Sequence, residues 1–204
     1  MTKFLQGNVR SLNTSCRFVE DICLKEQIKV LSLSEIWHPD VTNINFLHQW
    51  KWYKSVRVGQ EGGGAAVIVC PDIKSVPRRE ITADVEMVWC ELYIRNTALL
   101  LGSVYVRPGD RVAMAELIKI MNSLKDRNII VTGDLNAKHT AWFNDDVNTL
   151  GEDLNEFINA SDYIVMNDEV PTYQNSIIDL TLVKGCTNLF SEWNVKPNVY
   201  RVTM

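Results

Sequence analysis

The sequence contains no pair of cysteines in C-x-x-C spacing and only three histidines, His38, His48 and His139. Its five cysteines, Cys16, Cys23, Cys70, Cys90 and Cys186, are odd in number and widely spread. That argues against a disulfide framework and a zinc site, and it fits a reducing intracellular compartment. No apolar stretch of signal-peptide type follows the opening "MTKFLQGNVRS", and no apolar run approaches the roughly 20 residues that a spanning helix needs. The expectation is a soluble chain with no membrane partner. Positive charge is not in excess either: the formal net charge is -4 and the sequence pI is near 5.4. This removes a broad basic field of the kind that coats nucleic acid, and leaves room for carboxylates that carry a metal ion. Repeats, low-complexity tracts and linkers rich in proline, glycine or serine are missing too. The 204 residues, 46% of them hydrophobic, therefore read as one domain over 1–204 with a sizeable core.

What is present is a mixture of strand and helix patterns. Residues 3–9, 28–34, 128–133, 163–167 and 176–183 read as strands, and "GGGAAVIVC" (62–70) as a glycine-rich turn entering a buried one. "MVWCELYI" (87–94) and "ALLLGSVYV" (98–106) are joined by "RNT", a hairpin-length connection. Helices are expected over 14–27, opened by Asn13 or Thr14, over 110–126, capped by Asp110, and around 151–160. Hairpins mixed with crossover helices predict mixed sheets with helices outside.

Polar residues at strand ends come next, because a rigid scaffold commonly presents its chemistry where strands run out into loops. Asn8 closes the first strand, Glu35 the second and Tyr105 the second arm of the hairpin, while Asp134 and Asn136 follow the apolar run of "IIVTGDLNAKHTAW". Singly, each has a plain structural reading as a turn or half-buried residue. Asp179, inside "SIIDLTLV", does not: a carboxylate between Ile178 and Leu180 on a buried strand needs a partner.

Taken in this order and spacing, "GNVRSL", "LSEIW", "GSVYVRPG", "TGDLNAKHTAW" and "SIIDLTL" resemble the successive motifs of the endonuclease/exonuclease/phosphatase superfamily, the DNase I-like fold. Within it the chain is similar to the endonuclease domain of LINE-type, non-LTR retrotransposons of the jockey kind. The resemblance implies an α/β fold, a four-layer α-β-β-α sandwich of two mixed β-sheets flanked by helices. It implies Mg²⁺ or Mn²⁺ on Glu35 with Asn8 nearby, oxygen donors that suit a hard cation. Asp134 is then the base that orients or deprotonates water, Asn136 donates to a phosphoryl oxygen, Tyr105 holds the phosphate and Asp179 positions an acid-base histidine. Arg10, Arg107, Lys138 and His139 adjoin these motifs as the candidate DNA rim, although for His139 a structural hydrogen-bonder is the stronger reading. Local charge of this kind can grip DNA despite a negative total, because screening acts over roughly 8 Å. The partners so implied are DNA and a reverse transcriptase domain in a parent polyprotein, with the nucleus as the place of action.

The superfamily's last motif, Ser-Asp-His, has no counterpart with a histidine. One alignment reads the ending "SEWNVKPNVYRVTM" as a lead-in truncated before the motif, and is preferred because it needs no substitution. Another sets "NVYR" on an eroded motif, with Tyr200 where the histidine stands. Either way the expected activity is impaired, since such a histidine contributes about 10²- to 10⁴-fold to rate. A catalytically dead DNA-binding remnant and a phosphoesterase acting on RNA or a small molecule are the alternatives. A chain without its final strand is also expected to leave a sheet edge open.

Overall fold

A computed structural model of the chain describes residues 2–37, 47–57, 62–125, 128–186 and a short strand at 202–203. Its elements run β1 (Lys3–Asn8), α1 (Leu12–Glu26), β2 (Ile28–Ser34), β3 (Lys51–Ser55), β4 (Ala65–Val69), β5 (Lys74–Pro77), β6 (Glu86–Ile94) and β7 (Thr97–Tyr105). They continue with α2 (Arg111–Ser123), β8 (Ile129–Asp134), α3 (Thr149–Asn159), β9 (Ile164–Val165), β10 (Asp179–Lys184) and β11 (Val202–Thr203). One sheet has the order β11-β1-β2-β4-β3 and the other β5-β6-β7-β8-β10-β9. The pairs β1–β2 and β7–β8 are parallel and the remaining pairs antiparallel, so both sheets are mixed.

The period of two along each strand sorts side chains into layers. Leu31, Leu33, Ala66 and Ile68 pack with Leu12, Val19 and Cys23 of α1 on one outer face. Leu100, Val131, Leu180 and Leu182 pack with Met114, Leu117 and Met121 of α2 and Leu154 and Phe157 of α3 on the other. Between the sheets lie Val30, Val67, Val69, Cys90, Leu92, Leu101, Ile130 and Val183. Three apolar layers separate four layers of secondary structure, which is the α-β-β-α sandwich.

Most of the expected elements appear within a residue or two, and the differences have local causes. Helix α1 begins at Leu12, earlier than Asn13 or Thr14 would open it, with Ser11 in a left-handed conformation and no side-chain cap. Backbone supplies the cap instead: Ser11 N and Leu12 N donate to the carbonyls of Glu35 and Ile36 at 2.8 and 3.2 Å. Asp110 caps α2 as expected, accepting from Ala113 N at 3.0 Å. In the β6–β7 turn Arg95 and Asn96 have φ of 48° and 65°, as a two-residue hairpin with the native twist requires. Residues 163–167 yield only the two-residue β9. β10 starts at Asp179 because the backbone of Ile177 and Ile178 is taken by the side chains of Asn144 and Thr172.

Two strands had no sequence signal, β3 ("KWYKS") and β5 ("KSVP"), and both are sheet edges. Exposed lysines and a proline, which protect an edge from further pairing, also erase its apolar pattern. The open edge expected beside β1 is filled by β11, with Gly7 opposite Val202 and Gln6 opposite Thr203. Burial pushes the Cys23 and Cys90 thiols up to about 12 and Cys186 to about 11, and all five cysteines are free, consistent with packing roles. Among the described residues no helix is long and apolar enough to cross a membrane.

Candidate active site

The space between the sheets changes character along each strand. On β8 the inward positions are Ile130, Thr132 and Asp134; on β10, in the reverse sense, Val183, Thr181 and Asp179; on β1, Phe4, Gln6 and Asn8; on β7, Leu101, Ser103 and Tyr105. The apolar members belong to the inter-sheet core. The middle members form a buried polar belt that ties the sheets together. Ser32 Oγ lies 2.6 Å from Thr132 Oγ1, Thr181 Oγ1 donates to Gln6 Oε1 at 2.6 Å, Gln6 Nε2 to the Leu180 carbonyl at 3.0 Å, and Ser103 Oγ to the Leu33 carbonyl at 3.1 Å. The last members converge at the open end.

There, Asn8 uses its amide nitrogen as a bridge, donating to Glu35 Oε1 at 2.8 Å and to Asp134 Oδ2 at 2.7 Å. Its own carbonyl oxygen accepts from Arg10 N at 3.1 Å. Asp134 stands opposite Asp179 in the β8–β10 ladder and beside Tyr105 in the β7–β8 ladder. Asn8, Asp134 and Asp179 are buried at 3%, 4% and 1% exposure, so two carboxylates on neighbouring strands are both withdrawn from solvent. The nearby charges matter to Tyr105. Burial, then the negative charges of Glu35, Asp134 and Glu86, push its phenol well above the usual range, with Arg57 opposing; the hydroxyl stays protonated as a donor.

Local backbone explains the motif residues. Gly133 has φ 149°, and a Cβ there would run into the Val104 carbonyl, so only glycine lets β8 approach β7 just before Asp134. Leu135 is anchored in the outer core, and Asn136 turns the chain at φ 48°. Asn136 N donates to Asp134 Oδ1 at 3.2 Å and its amide nitrogen to the Val106 carbonyl at 2.9 Å. Glu35 also adopts a left-handed φ, of 50°. Backbone outliers of this kind in non-glycine residues cluster where function imposes them. Two residues that the sequence did not single out clamp these loops. Asn148, besides capping α3, holds Lys138 N at 3.0 Å and the Asn136 carbonyl at 2.8 Å; Thr172 Oγ1 accepts from Asp179 N at 3.1 Å. An asparagine placed to cap a helix immediately after the motif was the available signal for Asn148.

The candidate rim divides. Arg107 reaches Glu86, and Arg10 lies 5.7 Å over the Tyr173 ring. Lys138 is instead engaged by Asp146 at 3.1 Å. His139 caps the turn Thr140–Trp142, its Nδ1 accepting from Ala141 N at 3.0 Å, and its ring lies 5.2 Å from Trp142. With Glu152, Asn155, Glu156, Asn159 and Ala160 it lines an open cavity of about 430 Å³, to which none of the convergent residues contributes. Among the described residues, no three His, Cys, Asp or Glu side chains are grouped to hold a metal ion. Trp193 and Tyr200 lie outside the described residues. β11 nevertheless has a direction. It runs antiparallel to β1, so the step from Val202 to Thr203 leads away from Asn8.

Two face-to-face mixed sheets with outer helices and polar residues converging at one end define the DNase I-like class of nucleases and phosphatases. A family model described as "Endonuclease-reverse transcriptase" matches residues 99–200, and the chain belongs to that family. The endonuclease domain of TRAS1, a telomere-specific non-LTR retrotransposon, matches with a TM-score of 0.83 at 19% identity, over 100% of this chain and 96% of that one. A 3′-5′ exonuclease from Neisseria meningitidis matches at 0.70 and 12% identity, over 98% and 97% of the two chains. An AP endonuclease from Archaeoglobus fulgidus matches at 0.67 and 12%, over 100% and 99%. Comparison with curated proteins by sequence gives no match.

Proposed function

We propose that the chain is the DNA endonuclease domain of a non-LTR retrotransposon, a metal-dependent phosphodiesterase that nicks target DNA beside a reverse transcriptase domain in its parent polyprotein. The observation that carries the reading is the bridge Asn8 makes between Glu35 and the buried Asp134, with Asp179 directly opposite. A structural core gains nothing from two buried aspartates in register on neighbouring strands, whereas a site that cleaves a phosphodiester has use for them.

Asp134 has both oxygens oriented by donors, Asn8 on one and Asn136 N on the other, and a carboxylate so oriented can take the proton of an attacking water. Tyr105, held neutral, donates its hydroxyl to a phosphoryl oxygen. Asn136 has its amide plane set by the Val106 carbonyl and presents a neutral donor that does not repel phosphate. Asn8 turns its amide nitrogen to Glu35, so the Glu35 carboxylate would be the first ligand, a hard oxygen donor that fits Mg²⁺ or Mn²⁺ and not zinc. When bound at Glu35 with Asn8 beside it, such an ion supplies positive charge to the scissile phosphate and its leaving 3′ oxygen. Among the described residues the site has no histidine acid, since His139 is committed as a cap, and slow turnover is the expectation.

The test is conversion of supercoiled plasmid to nicked circles by the purified chain with Mg²⁺, alongside Asp134→Ala. Slow nicking that Asp134→Ala removes supports the proposal. Hydrolysis of RNA or a small phosphate ester with plasmid left intact refutes the DNA reading, and DNA binding without any nicking identifies a binding remnant.

A further inference from the structure

The glycine run of "EGGGAAVIV" and the pair Arg57–Glu86 take no part in the chemistry above. Glu86 opens β6 directly opposite Tyr105, with its side chain 15% exposed. Its Oε1 accepts from Arg57 Nε at 2.8 Å and from Arg107 Nη2 at 3.2 Å, and its Oε2 accepts from Gly64 N. Gly63 has φ 70°, and a Cβ on it would collide with the Glu86 carboxylate and come 2.5 Å from Arg57 Nη2. The glycine turn is therefore shaped to close over a carboxylate–guanidinium pair. The two arginines differ in exposure, 16% for Arg57 and 48% for Arg107. One carboxylate with two guanidiniums leaves a net charge of one positive unit, and the exposed guanidinium carries it to the rim. Arg107 lies two residues beyond Tyr105, and its guanidinium reaches Glu86, the residue paired with Tyr105, so it stands to the side of the phosphate that Tyr105 would hold.

We propose that this node is a second phosphate subsite, in which Arg107 grips the DNA phosphate next to the scissile one. Glu86 is the positioning residue that fixes the Arg107 guanidinium, and Arg57 is the buried countercharge that keeps the node cationic. The proposal rests on the nuclease reading and adds to it where the neighbouring phosphate lies. A guanidinium held by a carboxylate loses little freedom on meeting a phosphate, which is why a paired arginine binds better than a loose one.

Duplex binding is measured by fluorescence anisotropy between about 50 and about 200 mM KCl, a roughly fourfold salt range over which counterion release is resolved. Nicking kinetics are measured on the same proteins. Arg107→Gln should reduce the slope of log affinity against log salt by about 0.9, one phosphate contact, and raise KM several-fold with kcat nearly unchanged. Arg111→Gln, on the exposed face of α2, should leave the slope alone. Glu86→Gln separates positioning from plain charge. It makes the chain one unit more positive, so unspecific attraction predicts tighter binding, whereas the proposal predicts a raised KM. Tighter binding by Glu86→Gln, or an unchanged slope for Arg107→Gln in a chain that does bind DNA, overturns this inference alone. A wild-type chain that binds no DNA overturns the nuclease reading, and this inference with it.

Discussion

Asp134→Asn should make the protein more stable while removing its activity. Asp134 and Asp179 occupy opposed positions of the β8–β10 ladder. Opposed Cβ atoms are about 5 Å apart, and two unit charges at that distance repel by roughly 3 kcal/mol at an effective dielectric of about 20. Against this stand the hydrogen bonds Asp134 accepts from Asn8 at 2.7 Å and Asn136 N at 3.2 Å. The two donors sit on different oxygens, so an asparagine keeps one bond and turns its NH2 on the other donor, at a cost of about 2 kcal/mol. The balance favours the variant by about 1 kcal/mol, which for a chain of this size raises the melting temperature by roughly 2–4 °C. The assay is thermal unfolding followed by circular dichroism in EDTA at neutral pH, with plasmid nicking measured in parallel. Added Mg²⁺ should narrow the gap, because a cation bound to the folded state stabilises the wild type more. A variant that melts at or below wild type without metal would refute the reasoning and show that the fold already neutralises these carboxylates.

Glu35→Ala should weaken the calorimetric Mg²⁺ signal while Glu80→Ala, at an exposed residue paired with Arg78, leaves it intact; equal effects would remove the metal from Glu35. Thr132→Val should cost about 1–3 kcal/mol in urea unfolding by stranding Ser32, and the double variant with Ser32→Ala should cost less than the sum of the singles; additive costs would show that the two hydroxyls do not depend on each other. Tyr105 has its phenol raised above the ordinary 10.0 in the folded state, so the stability it contributes is full below that pH and lost above it; wild type should destabilise more steeply than Tyr105→Phe at alkaline pH, and coincident curves would refute this. Ser-Asp-His and one further strand added after Met204 should raise nicking by about 10²-fold if the truncated alignment holds, and unchanged nicking would support the eroded one.

Asn8, Tyr105 and Asp134 were legible because each ends a strand whose own pattern announces it. Asn8, Tyr105 and Asp134 each sit two positions beyond a buried Gln6, Ser103 or Thr132, and a side-chain period of two needs no long-range information. Glu86 obeys the same parity with Val88 and Cys90, yet it begins a strand, and its partners Arg57 and Arg107 are 29 and 21 residues away. Pairing over such distances leaves no local periodicity to read. The same holds for β3 and β5, whose identity comes from the strands they flank, and for the backbone cap of α1 by the Glu35 loop.

The polar belt explains how so charged a site can sit at the end of a dry core. If apolar residues ran up to Asp134 and Asp179, the carboxylates would meet hydrocarbon and their desolvation would be uncompensated. Ser32, Thr132, Gln6, Thr181 and Ser103 intervene, and each is satisfied by a partner on the facing sheet or its backbone. Their bonds also tie β1 and β2 to β7, β8 and β10, so the residues one step further out on both sheets are held at fixed separation. Asn8 comes from one sheet and Asp134 from the other, and the 2.7 Å contact between them is set by the belt beneath. A loosened belt should therefore disturb the chemistry before it unfolds the protein, because the site depends on the distance between sheets while the outer cores depend only on each sheet and its helices.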